Sequence, residues 1–124
     1  MSDKCTSGVY TQGRGRKRNQ KHIMVFVYTT CGSEEEAKSL CKILIESKFA
    51  ACIDYWPVSS VYRWEGQVVK MSHMMLMVTT LEKHLADVED LISKNHSYSV
   101  PLIAGVDIRR INRPYKEWMT GRVE

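Results

Sequence analysis

The hydrophobic pattern of the chain opens with a continuous apolar run over residues 23–30 that is rich in β-branched and aromatic side chains. Continuous rather than alternating apolar character is typical of a central strand that is covered on both faces. Ser33 and Glu36 then match a capping box, and apolar residues follow at helical spacing as far as Ile45. The pattern predicts a strand over 23–30, followed by a helix with one apolar face.

A long β-hairpin is predicted next. The second strand covers Ala50–Trp64, Glu65 and Gly66 give a tight-turn signal, and the third strand covers 67–79. Pro57 interrupts the second strand. Because proline cannot donate a ladder hydrogen bond, the sequence predicts either a bulge or a sheet edge at this point.

The remaining pattern predicts a second helix, with Thr80 as its N-cap and Asn95 at its end, then a fourth strand over 100–108 and a short helical segment over 114–119. The order is therefore β-α-β-β-α-β. This order predicts an α+β, ferredoxin-like sandwich in which two helices cover one face of a four-stranded antiparallel sheet.

The two middle strands are unusually long, since a typical strand has about 5–6 residues. At about 3.3 Å per residue, an arm of about 14 residues reaches about 46 Å, which a domain of this size cannot cover. The outer part of the arm carries Tyr62 and Trp64. An exposed aromatic ribbon needs a partner, and the simplest partner is a copy of the same chain in a closed ring.

The net charge of +4 over 124 residues is unevenly distributed. Residues 1–21 hold six basic and one acidic side chain, whereas the rest of the chain holds 12 basic and 13 acidic ones. The segment 1–21 is also polar and lacks periodicity, so we predict a disordered basic tail followed by one folded domain over 22–124. Its basic cluster at 14–18 is open to two interpretations: contact with RNA, anionic lipid or a targeting receptor, or a solubilising arm.

Several functional classes are disfavoured by the sequence. There is no apolar run long enough for a membrane span, no secretory signal, and no pairing of the four cysteines as CxxC, so we expect a reduced cytoplasmic protein. No nucleophile elbow, phosphate loop or HExxH motif is present, so an enzyme is not expected. The third strand lacks the aromatic string of an RNA-recognition motif, so sequence-specific nucleic-acid binding is not expected either.

Four short segments carry a family resemblance. They are Ala-Ala-Cys-Ile at 50–53, Val-Tyr-Arg-Trp-Glu-Gly at 61–66, His-x-Tyr-x-Val-Pro at 96–101 and Pro-Tyr-x-x-Trp at 114–118. In this order and spacing they resemble the CutA divalent-ion tolerance family, over residues 23–119. The resemblance implies a trimeric ferredoxin-like fold, similar to the PII signalling proteins, in which long hairpins are exchanged between subunits. It also implies a response to divalent metals, copper binding in some members, and no established enzymatic activity.

The resemblance directs attention to a copper site. In copper-binding members a cysteine near the end of the first strand and the histidine of the His-x-Tyr motif are implicated. The histidine is His96, whereas the aligned cysteine position is Tyr28 and Cys31 follows three residues later. Cys52 is a further soft ligand for copper(I). The alternatives are that His96 forms a hydrogen bond across a subunit boundary and that Cys52 is a core residue.

Other positions bear on assembly and on departures from the family pattern. The aromatic residues that we expect at the trimer interface are Tyr62, Trp64, Tyr98 and Trp118. Thr79 stands where the family commonly has lysine, Ser97 where it has proline and Leu102 where it has glutamate. Two hypotheses remain: a non-catalytic protein of divalent-metal tolerance that binds copper or another metal, or a PII-like assembly or signalling module that docks a protein partner without a metal role.

Overall fold

The structure is a computed structural model that describes residues 23–123. In chain order, the elements are β1 (Met24–Cys31), α1 (Glu34–Ser47), β2 (Ala50–Trp64), β3 (Gln67–Leu81), a 3-10 turn (Glu82–His84), α2 (Leu85–Lys94), β4 (Ala104–Asp107) and α3 (Arg113–Thr120). The strands form one antiparallel sheet in the order β2-β3-β1-β4, which confirms the predicted ferredoxin-like fold. The predicted disordered tail, residues 1–21, lies outside the described residues.

The core lies between the sheet and the first two helices. Side chains alternate along β1, so every second residue from Val25 onward points into this layer and is buried. They pack with Leu44 of α1, Val78 of β3, and Val88 and Ile92 of α2. Burying a Val, Leu or Ile side chain contributes about 1.5–3 kcal/mol, so this layer supplies much of the stability.

The opposite face of the sheet is only partly covered. At one end, Met119 of α3 and Val123 pack on Met24 and Leu81. Farther along β1 the outward-facing residues are only half-buried. The prediction that this strand is covered on both faces is therefore wrong for most of its length within residues 23–123. The apolar character of its outer face leaves a surface that another molecule can cover.

Some predicted boundaries are also wrong. Thr80 does not cap a helix, because β3 continues to Leu81. The hydroxyl of Thr80 is buried and donates to the carbonyl of Phe49. The second helix begins only at Leu85, after the 3-10 turn. The fourth strand is limited to Ala104–Asp107. No helix among the described residues is both long enough and apolar enough to cross a membrane.

The position of Pro57 is explained by the sheet order. The irregularity in β2 lies between Ala50 and Cys52 rather than at Pro57, which pairs in regular register with Met74. β2 is an edge strand, and an edge strand tolerates a missing N–H group. Of the two interpretations offered by the sequence, the sheet edge is the one observed.

The hairpin extends well beyond the sheet. The register of β1 on β3 ends at the pair Cys31 and Met74, so residues 58–73, here called the outer ribbon, pair only with one another. Its apolar side chains are strongly exposed, to 66% in Val61, 62% in Trp64 and 69% in Val68. The predicted exposed aromatic ribbon is therefore present in the folded chain.

The turn at the tip of the ribbon contains a residue in an unfavourable conformation. Glu65 has φ 50° and Gly66 has φ 80°, and positive φ at both central residues is the type I′ pattern, which favours Asn or Gly at the first. We expect Glu65→Asn to raise the free energy of unfolding by about 0.5–1 kcal/mol. Urea denaturation of the two proteins measures this difference.

Glu65→Gln serves as the control, because it removes the charge and keeps the unfavourable conformation. A gain in stability from Glu65→Gln as large as that from Glu65→Asn would show that charge, rather than backbone conformation, limits the turn.

Candidate functional site

A polar cluster lies where β1 ends and α1 begins. The predicted capping box is present: the hydroxyl of Ser33 accepts a hydrogen bond from the backbone N–H of Glu36 at 3.1 Å. The Glu36 carboxylate reaches back one residue beyond the cap and accepts from the N–H of Gly32, also at 3.1 Å. Donors at the start of α1 are therefore satisfied by two side chains.

The same carboxylate holds the loop that follows α2. Glu36 accepts from the backbone N–H of Ser97 at 2.8 Å and from its hydroxyl at 2.9 Å. Burial by itself would raise the pKa of the Glu36 carboxyl. The hydrogen bonds from Ser97 and Gly32 outweigh burial and hold that pKa below its ordinary value. Glu36 is therefore an ionised clamp between two segments of the chain.

The side chain of His96 is fully buried beside this clamp, with both ring nitrogens engaged. Its Nε2 lies 2.7 Å from the carbonyl oxygen of Thr30, and its Nδ1 lies 3.0 Å from the backbone N–H of Tyr98. Because a backbone N–H can only donate, Nδ1 is the acceptor, and this assigns the proton to Nε2. The Glu36 carboxylate is 3.6 Å from Nδ1. In this state the imidazole is neutral and links the end of β1 to the loop after α2.

Tyr98 connects the clamp to the hairpin. Its hydroxyl lies 2.9 Å from Nδ1 of His73, on β3, and its ring packs against that of His96 with centroids 4.9 Å apart. A chain of side-chain contacts therefore runs from Glu36 through His96 and Tyr98 to His73.

Beyond Tyr98 the outer ribbon and the loop enclose an open cleft of about 690 Å³. Side chains alternate on a strand, so every second residue of each arm faces the cleft, and its opposite wall comes from the loop. Its lining residues are Tyr62, Trp64, Val69, Met71, His73, Tyr98, Ser99 and Val100. Three of the four predicted interface aromatics thus share one cleft, whereas Trp118 lies on α3, at the other end of β3.

The thiols are placed differently from one another. Cys31 is buried at the end of β1, and its Sγ lies 3.6 Å from the carbonyl oxygen of Ser33. Burial, and secondarily the charge of Glu36, raise the pKa of the Cys31 thiol to about 11, so it is protonated at neutral pH. A metal ion would have to displace this proton.

Cys52 is half-buried near the start of β2, with its Sγ 3.9 Å from the carboxylate of Asp54. Burial and this carboxylate raise its pKa. Cys52 pairs with Thr79 whereas Cys31 pairs with Met74, a separation of about 16 Å along β3. Within residues 23–123 no three His, Cys, Asp or Glu side chains are grouped so as to hold a metal ion. The three predicted ligands are therefore not assembled into one site.

Comparison with known proteins identifies the family. The sequence profile of the CutA1 divalent ion tolerance protein matches residues 25–122, nearly the whole described part of the chain. This chain belongs to the CutA1 family.

Relatives and solved structures of CutA proteins agree with the fold. The divalent-cation tolerance protein CutA of Archaeoglobus fulgidus is 34% identical over 80% of this chain and 97% of its own length. That of Thermus thermophilus is 35% identical over 75% of this chain and 91% of its own. The crystal structure of CutA1 from Oryza sativa, 31% identical, superimposes with a TM-score of 0.80 over 86% of this chain and 98% of the other.

Sequence reasoning found part of this CutA site and missed part of it. The motif residues His96 and Tyr98 were recognised, and Glu36 was recognised only as a helix cap. The contacts of Glu36 with Ser97 were missed. The serine at position 97, where the CutA pattern has proline, was a signal for such contacts. Proline has neither an N–H nor a hydroxyl, so both hydrogen bonds from Ser97 to Glu36 depend on the serine.

Proposed function

We propose that this chain is a non-catalytic, homotrimeric protein of divalent-cation tolerance. Membership of the CutA1 family, and relatives that are named divalent-cation tolerance proteins, support the role in tolerance. The observation that carries the trimer is the outer ribbon, whose apolar side chains are left uncovered by their own chain. The number of subunits, three, is what the resemblance to the CutA family implies.

The cleft beside the ribbon supports a subunit boundary at that place. Tyr62, Trp64 and Tyr98 combine large apolar surfaces with polar groups, the composition that is enriched in buried interfaces. We therefore propose these three residues as interface residues. Trp118 lies elsewhere and is not needed for this boundary. The cytoplasmic location and the boundary of the folded domain stay predictions from the sequence.

Copper(I) is the metal we propose for this protein. His96 and Cys31 are the candidate ligands, because the carbonyl that His96 contacts belongs to Thr30, the residue next to Cys31. Binding through Nε2, the nitrogen next to Thr30, needs two changes. The ring proton must move from Nε2 to Nδ1, which then gives up the N–H of Tyr98, and the Cys31 thiol must lose its proton. Cys52 lies too far along the sheet to join this pair.

A second candidate function is favoured by one observation. Both nitrogens of His96 already have partners within the chain, which suits a structural histidine better than a vacant ligand. On this alternative the trimer is a PII-like module that docks a protein partner without a metal role.

Calorimetry with copper(I) under reducing conditions separates the two candidates. If copper is bound as proposed, wild-type protein should bind it and release protons, and His96→Ala should bind about 10–100-fold more weakly. Cys52→Ser is the control and should bind as wild type does. Equal affinity in wild type and His96→Ala would remove His96 from the site. Absence of binding by wild type would favour the docking module.

A further inference from the structure

Basic side chains are concentrated at the two ends of this chain. Residues 1–21 hold six basic and one acidic side chain, and residues 108–124 hold five basic and two acidic, which gives +5 and +3. The long segment between them, 22–107, holds seven basic and 11 acidic side chains, a balance of −4. The body of the protein is therefore acidic and its two ends are basic.

The fold brings the start of the described chain next to its C-terminal segment. The N–H of Ile108 donates to the carbonyl of Met24 at 3.0 Å, and the side chain of Met24 packs with Met119 and Val123. The start of the described chain therefore lies next to the C-terminal segment. The positive charges of the C-terminal segment lie at this end of the sheet, away from the outer ribbon.

The C-terminal charges face solvent. We define the C-terminal basic surface by its exposed or half-exposed side chains, which are Arg109, Arg110, Arg113, Lys116, Trp118 and Arg122. Within the described residues 108–123 the one carboxylate is Glu117, which lies 3.9 Å from Nε of Arg113. Even with Glu124 counted, five bases against two acids leave this segment positive, and a positive patch attracts polyanions.

An aromatic platform lies within this surface. The indole of Trp118 is 41% exposed, the ring of Tyr115 lies 5.4 Å from it, and the guanidinium of Arg122 lies 5.1 Å from its centroid. Nucleic-acid bases stack on exposed aromatic rings and on guanidinium planes. A basic surface that contains such a platform combines the two features that bind single strands.

We propose that the C-terminal basic surface binds single-stranded nucleic acid without sequence preference, with its cations on phosphates and Trp118 stacked on a base. An anionic membrane fits the structure less well. A helix that binds a membrane inserts its apolar side into the lipid, whereas the apolar side of α3 is packed on the sheet through Met119. The proposal is independent of metal binding.

Fluorescence anisotropy of full-length protein with a labelled, mixed-sequence single-stranded RNA of about 16 nucleotides tests this proposal. Arg109→Gln with Arg110→Gln should weaken binding about tenfold or more at about 50 mM salt and reduce the slope of log affinity on log salt by about 1.4. Trp118→Leu should weaken binding about fivefold or more with the slope unchanged, because stacking releases no counterions. Light scattering of each variant checks that the assembly state is retained.

The matched control removes two charges from exposed positions on α1 and α2, Lys42→Gln with Lys94→Gln, and should bind RNA as wild type does. Equal weakening by both double variants would overturn the location of the site, since only net charge would then matter. Failure of wild-type protein to bind RNA at about 50 mM salt would overturn the proposal. Cosedimentation with phosphatidylserine vesicles in that case would identify the surface as one for membranes.

Discussion

Trp64→Ala should dissociate the assembly while leaving the protomer folded. A tryptophan that is 62% exposed in the protomer contributes little to its stability, whereas truncating an aromatic anchor of an interface costs about 2 kcal/mol or more at each boundary. Multi-angle light scattering across a dilution series should therefore show the trimer of the wild type and smaller species of the variant at the same concentration. Circular dichroism should show a folded protomer in the variant, with a loss of strand content no larger than that of the outer ribbon.

Ile45→Ala is the control for this experiment, because Ile45 is also an exposed apolar residue but lies on α1, outside the ribbon. It should leave the mass unchanged. A monomeric mass for the wild type at micromolar concentration would refute the proposed trimer, and an unchanged mass for Trp64→Ala would remove only this residue from the boundary.

Glu36→Ala should destabilise the protomer by about 3 kcal/mol, the second large effect that we expect. The substitution leaves the N–H groups of Gly32 and Ser97 and the hydroxyl of Ser97 without their charged acceptor. Glu35→Ala, at the adjacent exposed position in the same helical turn, should cost less than about 0.5 kcal/mol. Urea unfolding curves of the three proteins measure both differences, and similar losses in the two variants would contradict the clamp.

The pH dependence of this effect has a definite sign. The pKa of Glu36 is lower in the folded chain than in the unfolded one, so its charge stabilises the fold above the unfolded value of about 4.3. That contribution is lost as pH falls through the folded pKa. The stability difference between wild type and Glu36→Gln, measured by urea unfolding, should therefore shrink as pH falls below about 4. A difference that stays constant down to pH values of about 3 would show that the carboxylate charge has no role in the clamp.

The sequence predicted what local patterns determine. The period of the apolar residues indicated β1 and α1, Ser33 and Glu36 indicated the helix start, and Glu65 with Gly66 indicated the turn. These signals lie within a few residues of what they specify. The predicted helix cap at Thr80 is wrong for the opposite reason. Its hydroxyl donates to the carbonyl of Phe49, 31 residues away, and no local sequence pattern indicates that contact.

The candidate site was predicted less completely for the same reason. Glu36 and Ser97 are 61 residues apart in sequence, and His73 and Tyr98 are 25 apart. The family motifs identified His96 and Tyr98, because a motif contains the residue types that a fold needs. A motif does not show which residues these side chains contact. The partner of each motif residue became visible only when the end of β1, the loop after α2 and the hairpin were placed side by side.

The outer ribbon has a consequence for how the protein behaves at different concentrations. Residues 58–73 pair only with one another, and a two-stranded hairpin on its own is marginally stable in water. In the proposed trimer, neighbouring copies supply the missing cover, whereas a separated protomer has none. Dilution should therefore unfold the outer ribbon of a separated protomer and leave the four-stranded part of the sheet folded. The number of ordered residues in this hairpin thereby depends on the concentration of the protein.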